Sequence, residues 1–322
     1  MILALHFGPY PIPLKAIWGI LAGQTDQGAS ANTWSVVVLD IRLSRILLSW
    51  LIGAGLAMCG VVFQGVLRNP LADPFTLGVS SGGAFGASMA ITLGLTTLPG
   101  LPGLSALPFA ALFGALAALC TVLALGRIGG RLRRETLVLA GIVVATFLSA
   151  CISLFKALNE ESVAAIVFWI MGSLQGRGWE HVGIFVPFFA VGTFFIACYS
   201  RELDLLSLGE SQARLLGVNS GRARIALLIG ASLVTAAAVA VSGIIGFVGL
   251  VVPHVVRLIQ GGEHRPLLVN SALLGGLLLL WSDVLARTVL SGGAELPVGV
   301  VTALLGGPFF CFLLRTRQER TS

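Results

Sequence analysis

Few residues of this 322-residue chain could do chemistry, because polar side chains are scarce in it. Ser81, His254 and Asp283 are the types a serine hydrolase uses, but no recognisable nucleophile context surrounds Ser81. The four histidines are scattered and lack the spacing of a metal site. The five cysteines, Cys59, Cys120, Cys151, Cys198 and Cys311, form no CxxC and read as small hydrophobes rather than as a disulfide or metal framework. The glycines around 78–86 are not followed by Gly-Lys-Ser/Thr, so no nucleotide loop is present and the chain should not hydrolyse ATP alone. Asp283 and Arg287 stand four apart and could pair across one helical turn. Arg42 and Arg45 are three apart and would share a helix face. With Arg287 they could form one patch, either snorkelling to lipid headgroups or docking an acidic partner. Gln64, His254 and Asp283 fall in or beside apolar runs, where a polar group wants a partner, water or a function.

The elements that must position these residues are membrane helices. Apolar residues make up 56% of the chain and charged residues 11%, against roughly 25% charged in a soluble domain. That excludes a water-soluble enzyme and a disordered chain. The net charge of +6 is no nucleic-acid signal, because the basic residues fall between apolar runs. The opening MILALHFGPYPIPLKAIWG has no basic leader and no small-residue cleavage site. Spans are expected near 46–67, 76–97, 105–125, 136–157, 181–199, 225–243, 267–286 and 296–314, with 244–260 as a short or broken crossing. The runs are continuous rather than alternating, which excludes a β-barrel. The expected class is therefore an all-α polytopic bundle with about nine crossings. MILALHF is too short to span and reads as the tail of an earlier helix, so a ten-helix architecture with its first helix missing or truncated is expected.

Orientation follows from the basic residues. The loops near 68–75, 126–135, 200–224, 257–265 and 315–322 hold most of the 20 Lys and Arg, with RIGGRLRRE at 127–135 as the strongest anchor. The positive-inside rule places these loops and the C-terminus in the cytoplasm. Segment 8–45, with Pro11, Pro13 and GQTDQGASAN, then reads as an outer loop.

Three stretches carry the remaining signals. In 60–86, Asn69-Pro70 and Asp73-Pro74 end one helix and begin the next. Gly78, Ser80, Ser81 and Gly82, with Gly83 and Gly86, give a small face for close helix packing, or a helix break at Gly82-Gly83. Segment 160–180 lies outside and reads as an interfacial helix with Trp169 and Trp179 at headgroup level, or with its aromatic residues capping a translocation route. Segment 200–224 is the longest polar insert, two short helices joined at Gly209 and Gly217. Its Leu205, Leu206, Leu208, Leu215, Leu216 and Val218, beside Glu210 and Arg214, are knobs and charges that a partner protein could grip. Further on, Pro253 bends the short span that follows Gly246, with His254 next to it.

These stretches together resemble the transmembrane permease subunit of type II ABC importers for iron-siderophore, haem and cobalamin. The matching blocks are IRLSR at 41–45, GVVFQGVLRNPLADPFTLGVSSGGAFG at 60–86, FWIMGSLQGRGW at 168–179 and ARLLGV at 213–218. They continue with SGIIGFVGLVVPHVVRLIQGGEHR at 242–265, WSDVLART at 281–288 and ELPVGVVTALLGGPFFCFLL at 295–314. The resemblance implies a single permease domain over 1–322 in the cell inner (plasma) membrane. It implies a homodimer around a central path, two cytoplasmic ATPase subunits that use ATP and Mg, and an outside substrate-binding protein. It implies no cofactor held by this chain. It matches the family's coupling helices to 201–221 and its docking arginines to Arg42, Arg45 and Arg287. Ser44 stands where Pro is common. Gln64, Asn69, Pro70, Gly78, Ser80, Ser81, Gly82, Gly246, Pro253, His254 and Asp283 are expected in the path or in helix packing. An iron chelate is the expected cargo, with cobalamin as the alternative. An ATPase-independent secondary transporter is the competing class; it needs coupling carboxylates near the midplane, for which only Asp283 qualifies.

Overall fold

The computed structural model describes all residues except 1, 9, 24–32, 96, 99–100, 129–130, 291–292 and 319–322, and except the side chains of 98, 101–104, 128, 131, 210, 312–314 and 316–318. The described chain is almost wholly helical. Two short helices, α1 (Ile2–His6) and α2 (Leu14–Leu21), precede the long α3 (Thr33–Leu67). Then come α4 (Val79–Thr92), α5 (Ala106–Leu125), α6 (Arg134–Leu158), α7 (Val163–Ile170) and α8 (Trp179–Cys198). A pair of short helices, α9 (Ser200–Leu208) and α10 (Glu210–Leu215), leads into α11 (Ser220–Ser242), α12 (Val248–Gln260), α13 (His264–Ala286) and α14 (Val298–Gln318). Two small antiparallel hairpins depart from the all-α expectation. One, β1 (Thr97–Leu98) with β2 (Leu101–Ser105), joins α4 to α5; the other, β3 (Arg127–Ile128) with β4 (Arg131–Leu132), joins α5 to α6.

Among the described residues six helices are long and apolar enough to cross a membrane: α3, α5, α6, α8, α11 and α13. The nine runs read from composition are thus not nine long helices. The run at 76–97 uses its first residues in a 3-10 turn (Pro74–Leu77) and its last in a turn and β1, leaving the 14 residues of α4. The run at 244–260 keeps 13 helical residues in α12, because Phe247 adopts a left-handed conformation (φ 69°) at its start. The last run contributes the short apolar stretch Val298–Cys311 of α14. A 14-residue helix rises about 21 Å, short of the roughly 30 Å hydrocarbon layer.

Helix α3 is the axis of the packing, and its small residues let neighbours approach. A Cβ on Gly60 would lie 1.8 Å from the carbonyl oxygen of Gly249 in α12, so backbone meets backbone there. A Cβ on Gly82 would lie 2.4 Å from the Gly114 carbonyl oxygen of α5. The small face is therefore a packing face, and α4 runs unbroken through Gly82-Gly83. The corner between α3 and α4 is built as its sequence dictates. Leu71 N donates to Asn69 Oδ1 at 3.0 Å, Asp73 and Thr76 form a reciprocal capping box, and Gly78 takes φ 73°.

A second, smaller core joins the N-terminal helices to the bundle. Leu5, Ile12 and Ile17 pack there with Val38 and Ile46 of α3 and Leu280 and Val284 of α13. The outer-loop reading of 8–45 is corrected at both ends, since α2 lies within it and α3 begins at Thr33. Residues Val36–Leu43 of α3 are π-helical, a local widening frequent at functional sites. The GQTDQGASAN stretch falls almost entirely outside the described residues.

Candidate functional site

The two ends of α3 carry most of the polar structure. At its start, Arg42, Arg45 and Arg287 do come together with Asp283, but inside the fold: they are 3%, 6%, 4% and 1% exposed. Arg45 grips Asp283 with a fork, Nε to Oδ2 at 3.0 Å and Nη2 to Oδ1 at 2.8 Å, and its Nη1 lies 2.8 Å from Glu295 Oε2. Arg42 Nη1 donates to Leu5 O at 2.6 Å, and its Nη2 donates to Tyr10 O. Arg287 Nη2 donates to Ala4 O at 2.9 Å. Burial pushes the Arg287 guanidinium down to about 10, with the charge of Asp283 acting the other way, so it stays charged at neutral pH.

This arrangement corrects two expectations. Asp283 pairs with Arg45 across helices and not with Arg287 one turn on, because Arg287 caps α13 and its guanidinium turns to the N-terminal helix. The three arginines are also buried: Arg42 and Arg287 clamp α1 and its following loop through carbonyl oxygens, and Arg45 pairs with Asp283 and Glu295. Their charges outnumber the two carboxylates by one. With its carboxylate held by Arg45, Asp283 is not free to orient His254, which removes the hydrolase constellation. Among the described residues no group of three or more His, Cys, Asp or Glu could hold a metal ion.

At the other end of α3 stands the elbow of α9 and α10. Leu203 and Leu206 are fully buried, and Asp204 Oδ1 accepts from His264 N at 2.9 Å with His264 Nδ1 at 2.6 Å. These contacts pin α9 to the start of α13. Gly209 (φ 126°) turns the chain into α10, and Gly217 (φ 82°) turns it out again, with Asn219 Oδ1 capping α11 through Arg222 N at 3.1 Å. Leu205 is half-buried, whereas Leu208, Leu215 and Leu216 are 55%, 88% and 60% exposed. Arg214 Nε donates to Ser220 Oγ at 3.4 Å. The side chain of Glu210 lies outside the described residues. Beside the elbow opens a cleft of about 940 Å³ lined by Arg68, Arg133, Arg134, Arg214 and Arg224, with Glu135 as its carboxylate. Arg224 Nη1 donates to Leu132 O at 2.5 Å, tying α11 to the β3–β4 hairpin.

Between the ends, Gln64 is buried in α3 and its Nε2 donates to Leu250 O of α12 at 3.2 Å. That is an interhelix hydrogen bond next to the Gly60–Gly249 contact. Pro253 is buried within α12, with His254 half-buried beside it, and Gly246 sits half-buried in the loop that precedes that helix. Ser80 is buried and Ser81 half-buried at the start of α4.

The profile of the FecCD transport family matches residues 1–316. The chain belongs to this family. FecCD members act with ATPase and substrate-binding partners. The chain is 45% identical over 289 residues to the cobalamin import system permease protein of Halobacterium salinarum, covering 90% of this chain and 76% of that one. It is 38% identical over 327 residues to the hemin transport system permease protein of Yersinia pestis, covering 100% and 94%. Its fold matches a solved structure of a metal-chelate type ABC transporter in an inward-facing conformation, with a TM-score of 0.82, 32% identity and coverage of 98% and 94%. Several residues of this FecCD chain escaped the sequence reading. Glu295 is the second carboxylate of the clamp, and its signal was an acidic residue on the same expected side as Arg45 and Asp283. Asp204 and His264 were legible only as two ionisable residues at one expected end of two helices.

Proposed function

We propose that this chain is the membrane-spanning permease subunit of an ATP-driven importer that moves an iron chelate of the siderophore or haem kind across the plasma membrane. It is a transport subunit and not an enzyme. Two copies surround the path, two ATPase subunits engage the elbow from the cytoplasm, and a binding protein delivers cargo at the opposite, clamp end. The shorter helices α4 and α12, extended by the turns that flank them, and the apolar stretch Val298–Cys311 of α14 bring the crossings to nine, with the C-terminus cytoplasmic. Residues 1–322 act as one permease domain.

The observation that carries this reading is the elbow. Buried Leu203 and Leu206, with Asp204 bonded to His264, anchor it, so a push on it is transmitted to α3 and α13. Exposed Leu208, Leu215 and Leu216 leave it with apolar surface facing away from the chain. Such residues in an aqueous end segment fit a groove on a partner. Leu205, Gly209, Glu210, Arg214 and Gly217 shape and flank that surface. ATP-driven movement of the elbow must change the balance between two states of the path, otherwise hydrolysis does nothing for transport. At the clamp end Arg42, Arg45 and Arg287 are held within the chain, so their part in docking a binding protein is to fix α1 and the start of α3, which present the outer face. The small residues Gly78, Ser80, Ser81 and Gly82 shape helix packing beside the path, Gln64 ties α3 to α12 there, Asn69, Pro70, Gly246, Pro253 and His254 serve it at corners and bends, and Asp283 supports it through the clamp.

The test is co-purification with the ATPase encoded beside this chain. A stable complex with stimulated ATP hydrolysis is expected, and Leu215→Ala with Leu216→Ala should weaken assembly at least about tenfold. Unchanged assembly and unchanged stimulation would reject the elbow. Gradient-driven uptake by the purified chain alone would reject the importer in favour of a secondary transporter, a class disfavoured by the locked Arg45–Asp283 pair. Cobalamin is the second cargo reading, favoured by the 45% identity to the Halobacterium salinarum protein. Uptake of labelled cobalamin in preference to ferric chelates would establish it.

A further inference from the structure

A cavity of about 360 Å³ lies between α7, the loop after it and the start of α14, and none of the roles above uses it. Its polar wall holds Trp169, Ser173, Gln175, Arg177 and Glu295, with Phe168 beside them. Trp169 was expected at headgroup level, yet it is only 8% exposed and turned inward, and its indole Nε1 has no hydrogen-bond partner. The Nε of Arg177 is also buried without one. A buried donor left unmatched is costly, so two donors at one cavity need a reason. Arg177 is steadied from behind, its Nη1 lying 2.9 Å from His181 Nε2. Glu295 is held by Arg45 at 2.8 Å, and Glu180, whose charge stabilises Arg177, does not line the cavity, so the Arg177 guanidinium is the cation on the cavity wall itself. Phe168 is 64% exposed and offers a flat apolar face. The volume is at the low end of roughly 300–1,000 Å³ for ligand cavities, which suits one arm of a chelate and not the whole of it.

We propose that this cavity is a cargo subsite that receives a carboxylate arm of a metal chelate, with Arg177 Nε and Trp169 Nε1 donating to the carboxylate and Phe168 covering the apolar body next to it. The inference rests on the importer reading. A carboxylate arm can come from a porphyrin or from a citrate-type chelate, and the experiment separates them.

The chain is placed in lipid nanodiscs, and equilibrium binding is measured for haemin, for ferric dicitrate and for ferrioxamine B, whose ligand has no carboxylate. Arg177→Gln should weaken binding of the carboxylate probes about tenfold, the size of one charge-assisted hydrogen bond, and leave ferrioxamine B unchanged. Arg177→Lys should recover part of the loss. Trp169→Phe should weaken the same probes about threefold. Phe168→Ala should weaken haemin alone if the arm is a porphyrin's, and neither carboxylate probe if it is a citrate-type arm. Equal losses for all three probes, no loss for any, or no binding of a carboxylate probe to the unaltered chain would overturn the subsite. ATPase assembly of Arg177→Gln is measured in parallel. If the unaltered chain fails to assemble, the importer reading falls; if assembly is intact while the probes do not discriminate, only the subsite falls.

Discussion

The two ends of α3 are made of the same material and do opposite things with it. At the start of the helix, Arg42, Arg45 and Arg287 are closed to solvent, and the guanidiniums meet carboxylates or carbonyls of the chain itself. At its end, five arginines surround an open cleft, and Leu215 stands 88% exposed beside them. The difference is set by what lies opposite. Asp283 and Glu295 face the first cluster, and the N-terminal helix brings free carbonyls to it. Among the described residues, Glu135 is the carboxylate that lines the second. A basic cluster closed in by the chain's own carboxylates becomes structure, and one that lines an open cleft beside exposed leucines becomes surface for something else.

The largest effect should come from breaking the matched end. Arg45→Ala leaves Asp283 buried without its cation, and removing one partner of a buried pair costs about 3–5 kcal/mol. Thermal unfolding of the purified chain in detergent should show this, while Leu215→Ala should shift stability by no more than about 0.5 kcal/mol. Equal shifts for the two variants would erase the contrast between the ends. Asp283→Asn should cost less, about 1–3 kcal/mol, because Arg45 keeps Glu295 and the amide oxygen can still accept. A loss as large as that of Arg45→Ala would mean that Glu295 contributes little to the clamp.

How much of this could be read beforehand differs between the ends for the same reason. The elbow is local: Gly209 and Gly217 break the chain within a few residues, and the leucines between them need no distant partner to be recognised. Its two-helix form was legible, and of the leucines read as knobs Leu208, Leu215 and Leu216 are exposed, whereas Leu206 is buried and Leu205 and Val218 are half-buried because they pack on the bundle. The clamp is assembled from residues 238 positions apart, and pairing by spacing along one helix pointed Asp283 at Arg287 instead of Arg45. Composition also could not distinguish a long helix from an apolar run with a turn inside it. The left-handed Phe247 and the 3-10 turn at Pro74–Leu77 shorten two such runs, and both depend on tertiary contacts, as where Pro74 packs against Gly249.

The smallest effect should separate charge from contact at the elbow end. Arg68 and Arg133 line the cleft without forming the apolar knobs. If an acidic face of the ATPase lies over the cleft, Arg68→Gln with Arg133→Gln should weaken assembly only about two- to fivefold at low salt, as for rim charges that steer more than they hold. At roughly 0.5 M salt, where the screening length falls to a few ångströms, the variant and the unaltered chain should converge. The leucine variants should keep their deficit at every salt concentration, because apolar burial is not screened. A double-arginine loss that persists at high salt would place these guanidiniums in direct desolvated contact with the partner. The elbow end would then resemble the clamp end, with its matching carboxylates supplied by another chain instead of by this one.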